Sequence, residues 1–164
     1  MSVTVPVRPA RPDEIDAAGD LAARAYLASG LLRPDDPYLA DLRDARGRSE
    51  DSVVLVADAG GDLAGTITWC PEGSSHREVA EPGEGEFRAL GVAPAWRGQG
   101  VGRALVLACL DRARESGCHA VVLSSSSDMT AAHRVYAALG FARLPERDWG
   151  LPGMHLLAFR RELG

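Results

Sequence analysis

Three features of the sequence predict an α/β chain with a mixed sheet carrying helices on both faces. The front half holds a hairpin pattern, two apolar runs meeting at Gly60-Gly61-Asp62. The back half alternates helical and extended segments, which requires crossover connections. Between them an apolar run from Phe87 to Val92 leads through a glycine-rich turn into a helix. The resulting order is β-α-α-β-β-β-α-β-α-β-β.

Each element has a local reason. Val3-Thr4-Val5-Pro6-Val7-Arg8 alternates apolar and polar residues as a strand does, and its proline favours a sheet edge. Arg11-Pro12-Asp13-Glu14 is a helix start with acids in the first turn. Ile15, Ala18, Ala22 and Ala25 or Tyr26 then recur at helical spacing until Gly30. Arg33 to Pro37 is a turn, and Tyr38, Leu39, Leu42 and Ala45 make a weaker helix before Gly47. Ser52 to Asp58 and Leu63 to Trp69 are the two hairpin strands. The loop from Pro71 to Gly85 carries Glu72, Glu78, Glu81 and Glu84. It reads either as a solvated, mobile connection or as an acidic lip that attracts a cationic amine.

Val101 to Ala113 is a helix with Val101, Leu105, Ala108 and Cys109 on one face, closed by Gly117. Cys118 to Ser124 has the uninterrupted apolar run of a central strand. Ser125 to Asp128 is a polar break with capping chemistry, followed by a short helix from Thr130 to Leu139. Phe141 to Leu144 and Met154 to Arg160 are closing strands around a loop from Pro145 to Gly153.

The strand, turn and helix start at Leu90 to Arg103 form a site for anions. The first amides of a helix have no internal partner, and the macrodipole adds partial positive charge there. Glycines at 98, 100 and 102 remove the Cβ atoms that would hold a phosphate away. Arg97 and Arg103 bracket the turn with guanidinium forks suited to phosphate oxygens. A turn that merely starts a helix needs fewer glycines. The dinucleotide fingerprint G-x-G-x-x-G fails here, since its third glycine would fall at Arg103 or Leu105. A P-loop fails as well, because the chain contains no lysine.

The remaining pattern, Arg97-x-x-Gly100-x-Gly102, resembles the Q/R-x-x-G-x-G/A signature of the GNAT superfamily of acetyl-CoA-dependent N-acetyltransferases. Thr130 to Phe141 resembles that family's N-x-x-A-x-x-x-Y-x-x-x-G-F segment, with Tyr136 at its tyrosine. The element order is also similar, and the resemblance extends over nearly the whole chain, most strongly from Glu86 to Phe141. It implies a single GNAT-like acetyltransferase domain over residues 1–164, with a mixed, mostly antiparallel central sheet of about seven strands. It implies that Leu90, Gly91, Val92, Arg97, Gly98, Gln99, Gly100, Val101, Gly102 and Arg103 hold acetyl-CoA, the acyl donor. In this family the turn takes the pyrophosphate, and the backbone at Val92 pairs with the pantetheine arm as an added strand does. Two parallel strands splay apart there, leaving an oxyanion donor near Leu90 or Gly91. The family's frequent asparagine falls at Met129, so Ser127 or Asp128 would have to replace its contacts.

Amide formation needs an amine that has lost a proton, donors for the oxyanion and an acid for the departing thiolate. An alkylamine of pKa ~10.4 is neutral in only about one part in 10³ to 10⁴ at pH 7, so a positioned base could contribute ~4–5 kcal/mol. Glu86, on the strand that enters the turn, is the candidate base, acting directly or through a water, where several family members carry one; a strand-edge surface charge is the plainer reading. Tyr136, with an ordinary pKa ~10 above the ~8.5 of a thiol, is the candidate acid, against a role in core packing.

Composition narrows the partners. The 164 residues, 46% hydrophobic and 25% charged, suit one globular domain. A net charge of −5 argues against nucleic acid and anionic membranes. Cys70, Cys109 and Cys118 show no paired spacing, which predicts reduced thiols and a cytoplasmic protein, with Cys109 a core thiol. Met1 to Thr4 lacks the charged start of a signal peptide, and no apolar run is long enough to span a membrane. His76, His119 and His155 share no metal-ligand spacing, so no metal is expected. His133 reads as a partly exposed helix residue and Trp96 as packing beside the turn. Trp149 shapes either an acceptor pocket or a homodimer contact. The expected activity is acetyl transfer to a small-molecule or peptide amine, with the acceptor between the first two helices, the acidic loop and the Trp149 loop. The alternatives are a non-catalytic acyl-CoA-binding sensor on the same fold and a regulatory module for another phosphate.

Overall fold

The computed structural model of the chain describes residues 5–164. Val3 and Thr4 of the expected first strand, and Met1 to Thr4 of the expected leaderless start, lie outside the described residues. The strands are β1 (Val7–Pro9), β2 (Val53–Ala59), β3 (Asp62–Cys70), β4 (Glu84–Val92), β5 (Ala120–Ser126), β6 (Ala142–Arg143), β7 (Trp149–Leu151) and β8 (Met154–Glu162). The helices are α1 (Ile15–Ala28), α2 (Tyr38–Arg43), α3 (Ala45–Arg48), α4 (Val101–Glu115) and α5 (Thr130–Ala138).

The strands form one sheet in the order β1-β2-β3-β4-β5-β8-β6, with β7 paired to β8. Only β4 and β5 run parallel among the described pairings; the other six are antiparallel. The mixed, mostly antiparallel sheet with helices on both faces is thus as predicted, with eight strands in place of about seven. The extra strand is β7, inside the expected loop. Pro152-Gly153 is a tight turn that pairs Leu151 with Met154 and Trp149 with Leu156. The expected second helix is broken at Asp44, whose side chain accepts the Gly47 N–H at 3.0 Å and starts α3. β5 also runs two residues further than predicted, because Ser125 and Ser126 pair with Leu157 and Leu156 of β8.

β2 shows why the central strands are so apolar. Leu55 and Ala57 pack in the cluster with Val101, Leu105 and Cys109 of α4, whereas Val54 and Val56 pack with Ala18 of α1 and Ala45 of α3. The strand is buried on both faces, so alternation disappears from its sequence. Helices α1 to α3 cover one side of the sheet, and α4 with α5 covers the other. At Gly65 a Cβ would come within 2.9 Å of Leu105, Val101 and the Gly91 carbonyl, so glycine lets α4 lie close against β3. No helix among the described residues is long and apolar enough to cross a membrane.

Candidate active site

The site begins where β4 and β5 part. Their parallel pairing covers only Glu84 to Glu86 against Ala120 to Val122. Beyond Glu86 the β5 side of β4 has no strand partner, and its backbone polar groups there are left for something else. β4 is also bulged. Thr66 pairs with Gly91 and Thr68 with Arg88, so Ala89 and Leu90 together oppose Ile67. Ala89 takes a φ of 57°, a left-handed conformation that costs an alanine about 1–2 kcal/mol.

The bulge changes which residues share a face. In a regular strand Glu86 and Leu90 would lie on the same side. Instead Arg88 and Gly91 stand in phase, with Gly91 against Ala22 and Ala25 of α1, while Leu90 and Val92 join the cluster under α4. Glu86 therefore shares a side with Arg88 and Gly91 and lies opposite Leu90 and Val92.

Two cavities meet in the wedge between the strands. One, of about 530 Å³, is lined by Leu90, Gly91, Val92, Arg97, Gly98, Gly100, Val101, Gly102 and Arg103, with Trp96 and the start of α5. These are all the residues expected at the donor site except Gln99, whose side-chain amide turns back to the Ala95 carbonyl at 3.3 Å. Gly98 and Gly100 hold φ values of 73° and 85°, which favour glycine. The first hydrogen bond within α4 runs from the Ala104 N–H to the Gly100 carbonyl. The amides of Val101, Gly102 and Arg103 precede it and have no partner within the helix. Arg97 donates to the Ala25 carbonyl at 3.1 Å and so ties the turn to the end of α1. A helix N-terminus flanked by two guanidinium groups, over a cavity of this volume, suits a diphosphate with an attached arm.

The other cavity, of about 520 Å³, lies between Phe87 to Leu90 of β4, Leu123 to Ser126 of β5, Tyr26 of α1, Tyr38 and Asp41 of α2, Glu78, and Trp149 and Leu151. It joins the parts expected to surround an acceptor. Tyr26, Leu31, Leu90, Asp128 and Met129 line both cavities, and they mark the place where the two adjoin. Tyr136 lines the acceptor side. Its side chain is 3% exposed and packs against Phe87, Phe141 and Phe159 with ring centroids 5.8–6.0 Å away. Burial pushes its pKa far above the usual tyrosine value, so the hydroxyl keeps its proton.

Glu86 does not take the place expected of a base. It is 0% exposed and lines neither cavity. Its carboxylate accepts the backbone N–H groups of Glu78 (2.9 Å), Val79 (3.0 Å) and Ala80 (2.9 Å). Burial raises its pKa, with those three amides acting against the rise. Nor is it a strand-edge surface charge: the residue is an internal anchor for a loop.

That loop is neither mobile by its contacts nor a continuous acidic lip. Glu84, 2% exposed, accepts from Arg147 at 2.6 Å, from Arg160 at 3.0 Å and from the Glu81 N–H at 2.9 Å. Burial works to raise its pKa, but these donors outweigh it and hold the group at about 2. Arg147 also bonds Glu81 at 2.9 Å and the Val79 carbonyl at 3.2 Å. Glu72 accepts the Gly83 N–H. Of the four loop acids, only Glu78 reaches a cavity.

Tyr26, Tyr38 and Arg88 belong to the site without having been expected there. Arg88 bonds the Tyr38 hydroxyl and Asp41, each at 3.1 Å, and its buried Nε has no partner among the described residues. An arginine inside the apolar run from Phe87 to Val92 was the available signal. His133 sits half-buried against Phe159, its Nε2 3.1 Å from the Ser125 hydroxyl, and faces neither cavity. Cys109 is fully buried in the core, and burial pushes its thiol far from ionisation.

Known proteins share this architecture. Residues 17–141 match the acetyltransferase (GNAT) family. A mycothiol acetyltransferase of Sanguibacter keddieii is 39% identical over 143 residues, covering 85% of this chain and 44% of that protein. The N-alpha-acetyltransferase RimI of Mycobacterium tuberculosis is 32% identical over 142 residues, 85% of each chain. The structure of yncA from Salmonella typhimurium, determined with its cofactor acetyl-CoA, shares the fold with a TM-score of 0.72 at 23% identity, covering 98% of this chain and 94% of that one. The chain spans less than half the length of the mycothiol acetyltransferases it matches. A family match over more than half of the chain, together with a likeness to RimI over 85% of each chain, places the protein: it belongs to the acetyltransferase (GNAT) family.

Proposed function

We propose that this protein moves an acetyl group from acetyl-CoA to a primary amine by direct attack, with residues 1–164 acting as one acetyltransferase domain. The observation that carries this reading is the junction of two cavities at Leu90 and Met129, with Tyr136 on the acceptor side. Acetyl-CoA supplies the acyl carbonyl and a thiol leaving group. The α4 amides, Arg97 and Arg103 would hold its diphosphate, and the unpartnered side of β4 would hold its arm. Backbone donors freed beside the bulge, at Leu90 or Gly91, would stabilise the oxyanion; losing such a donor typically costs ~2.7–4 kcal/mol. Tyr136, protonated and beside Leu90, would supply the proton for sulfur. Ser127 or Asp128, both lining the acceptor cavity, would take over contacts that an asparagine at position 129 would make.

The acceptor cavity presents Asp36, Asp41, Glu78 and Asp128 against the single cation Arg88, a balance that suits a cationic amine. A relative of this chain, RimI, is an N-alpha-acetyltransferase, which fits an amine acceptor. The test is free-thiol release from acetyl-CoA across polyamines, amino sugars and peptides with free N-termini. Release that depends on one amine class supports the proposal. Strong thermal stabilisation by coenzyme A, with no release for any amine, overturns it in favour of an acyl-CoA-binding sensor.

A further inference from the structure

The carboxylate that replaces Glu86 in the acceptor cavity is delivered by Glu86 itself. Its three amide contacts gather the backbone of Glu78, Val79 and Ala80 around one buried charge. Arg147 holds the same turn from the other side through the Val79 carbonyl. With its backbone so pinned, Glu78 reaches across to β5, where its Oε1 accepts the Ser124 hydroxyl at 3.0 Å. Ser124 is just past Val122, the last β5 residue paired with β4, so the contact lies at the mouth of the splay. Both residues line the acceptor cavity.

We infer that Glu86 and Glu78 divide a task expected of one residue: Glu86 positions the loop, and Glu78 receives the proton of the acceptor amine. The inference rests on the acetyl-transfer reading above. Most of the other groups facing Glu78 are engaged or of the wrong kind. Asp41 is spent on Arg88 at 3.1 Å, and Asp36 accepts the Tyr38 N–H at 2.9 Å. Arg88 is a permanent cation, Tyr38 is kept neutral by burial, and Glu86 is closed off by its amides. His155 and Asp128 lie on the β8 and α5 sides of the cavity. In the transfer step the amine lone pair forms the N–C bond, and the C–S bond breaks with its electron pair leaving on sulfur. The nitrogen proton passes to the Glu78 carboxylate, and the Tyr136 hydroxyl gives its proton to sulfur. Exchange with water then returns both groups to their starting states.

The experiment compares Glu78→Gln, Glu78→Asp and Glu86→Gln with the parent. It follows kcat/KM for thiol release between pH 5.5 and 9 with spermidine, a glucosamine glycoside and an alanyl peptide. For Glu78→Gln the expected result is a fall of about 10²–10³-fold at pH 7 with an unchanged Tm and an unchanged Kd for coenzyme A. Glu78→Asp should recover part of the rate. Glu86→Gln should lower Tm and rate together and raise hydrogen exchange at the amides of residues 78–80. If Glu78→Gln stays within threefold of the parent, or loses rate only in step with Tm, the assignment is wrong while acetyl transfer stands. If the parent releases no thiol with any of these amines, the transfer reading falls and this assignment falls with it.

Discussion

Replacing Glu84 with glutamine tests the clamp that holds the acceptor loop. The carboxylate is 2% exposed and joined to Arg147, Arg160 and the Glu81 N–H. Its pKa is about 2, against an ordinary 4.5. At about 1.4 kcal/mol per pH unit, that difference corresponds to roughly 3 kcal/mol of stability at neutral pH. Arg147 keeps its bond to Glu81 in the variant, so a loss of about 2–3 kcal/mol is expected at pH 7. For a domain of this size that is a fall in Tm of about 4–12 °C. The sign with pH follows from a depressed pKa. The contribution is present above the unfolded value near 4.5 and is lost as pH falls toward 2. Urea unfolding of parent and Glu84→Gln at pH 7 and pH 3 should therefore show a gap that shrinks by about 2 kcal/mol at the lower pH. Hydrogen exchange at the amides of residues 78–80 should rise in the variant. A gap below about 0.5 kcal/mol at pH 7, or one equal at both pH values, would refute the reasoning.

Three further changes probe the site. Tyr136→Phe should lower kcat for thiol release by about 10²-fold or more and leave the Kd for coenzyme A unchanged; a kcat within twofold of the parent excludes the acid role. Gly100→Ala forces a side chain to φ 85° at the head of α4, so it should cost about 1–2 kcal/mol in denaturant and weaken coenzyme A in titration calorimetry. An unchanged affinity would show that the turn does not carry the diphosphate. Gly85→Ala would bring a Cβ to 2.1 Å from Trp69 Cη2, inside the paired part of β4 and β5. A destabilisation of about 3 kcal/mol is expected by thermal unfolding, and less than 1 kcal/mol would mean that the wedge can widen freely.

The cavity proposed for the donor was legible in outline because its residues are nearly consecutive. A strand, three glycines within five residues, two arginines and a helix start are consecutive in the chain, and nine of the ten residues expected there line one cavity. The exception, Gln99, differs only in where its flexible side chain turns. Tyr136 was legible for a related reason, as one position in a short helix with a recognisable spacing. The acceptor side was legible only as a set of neighbouring parts. Tyr26, Tyr38, Arg88 and Glu78 come from four segments, and nothing in their spacing says that they meet. β7 was hidden because a three-residue strand leaves no period to detect.

Glu86 marks the boundary between the two kinds of information. Its place on β4, ahead of the turn, follows from sequence order alone. The side it faces depends on non-local pairing, to Cys70 of β3 and Val122 of β5. The bulge at Ala89 then reverses the alternation between Glu86 and Leu90. Side chains on a strand have a period of two, so the residue inserted at the bulge leaves Leu90 on the face opposite Glu86. Local sequence therefore set the donor turn and its anion chemistry, whereas tertiary register decided which glutamate the acceptor cavity receives.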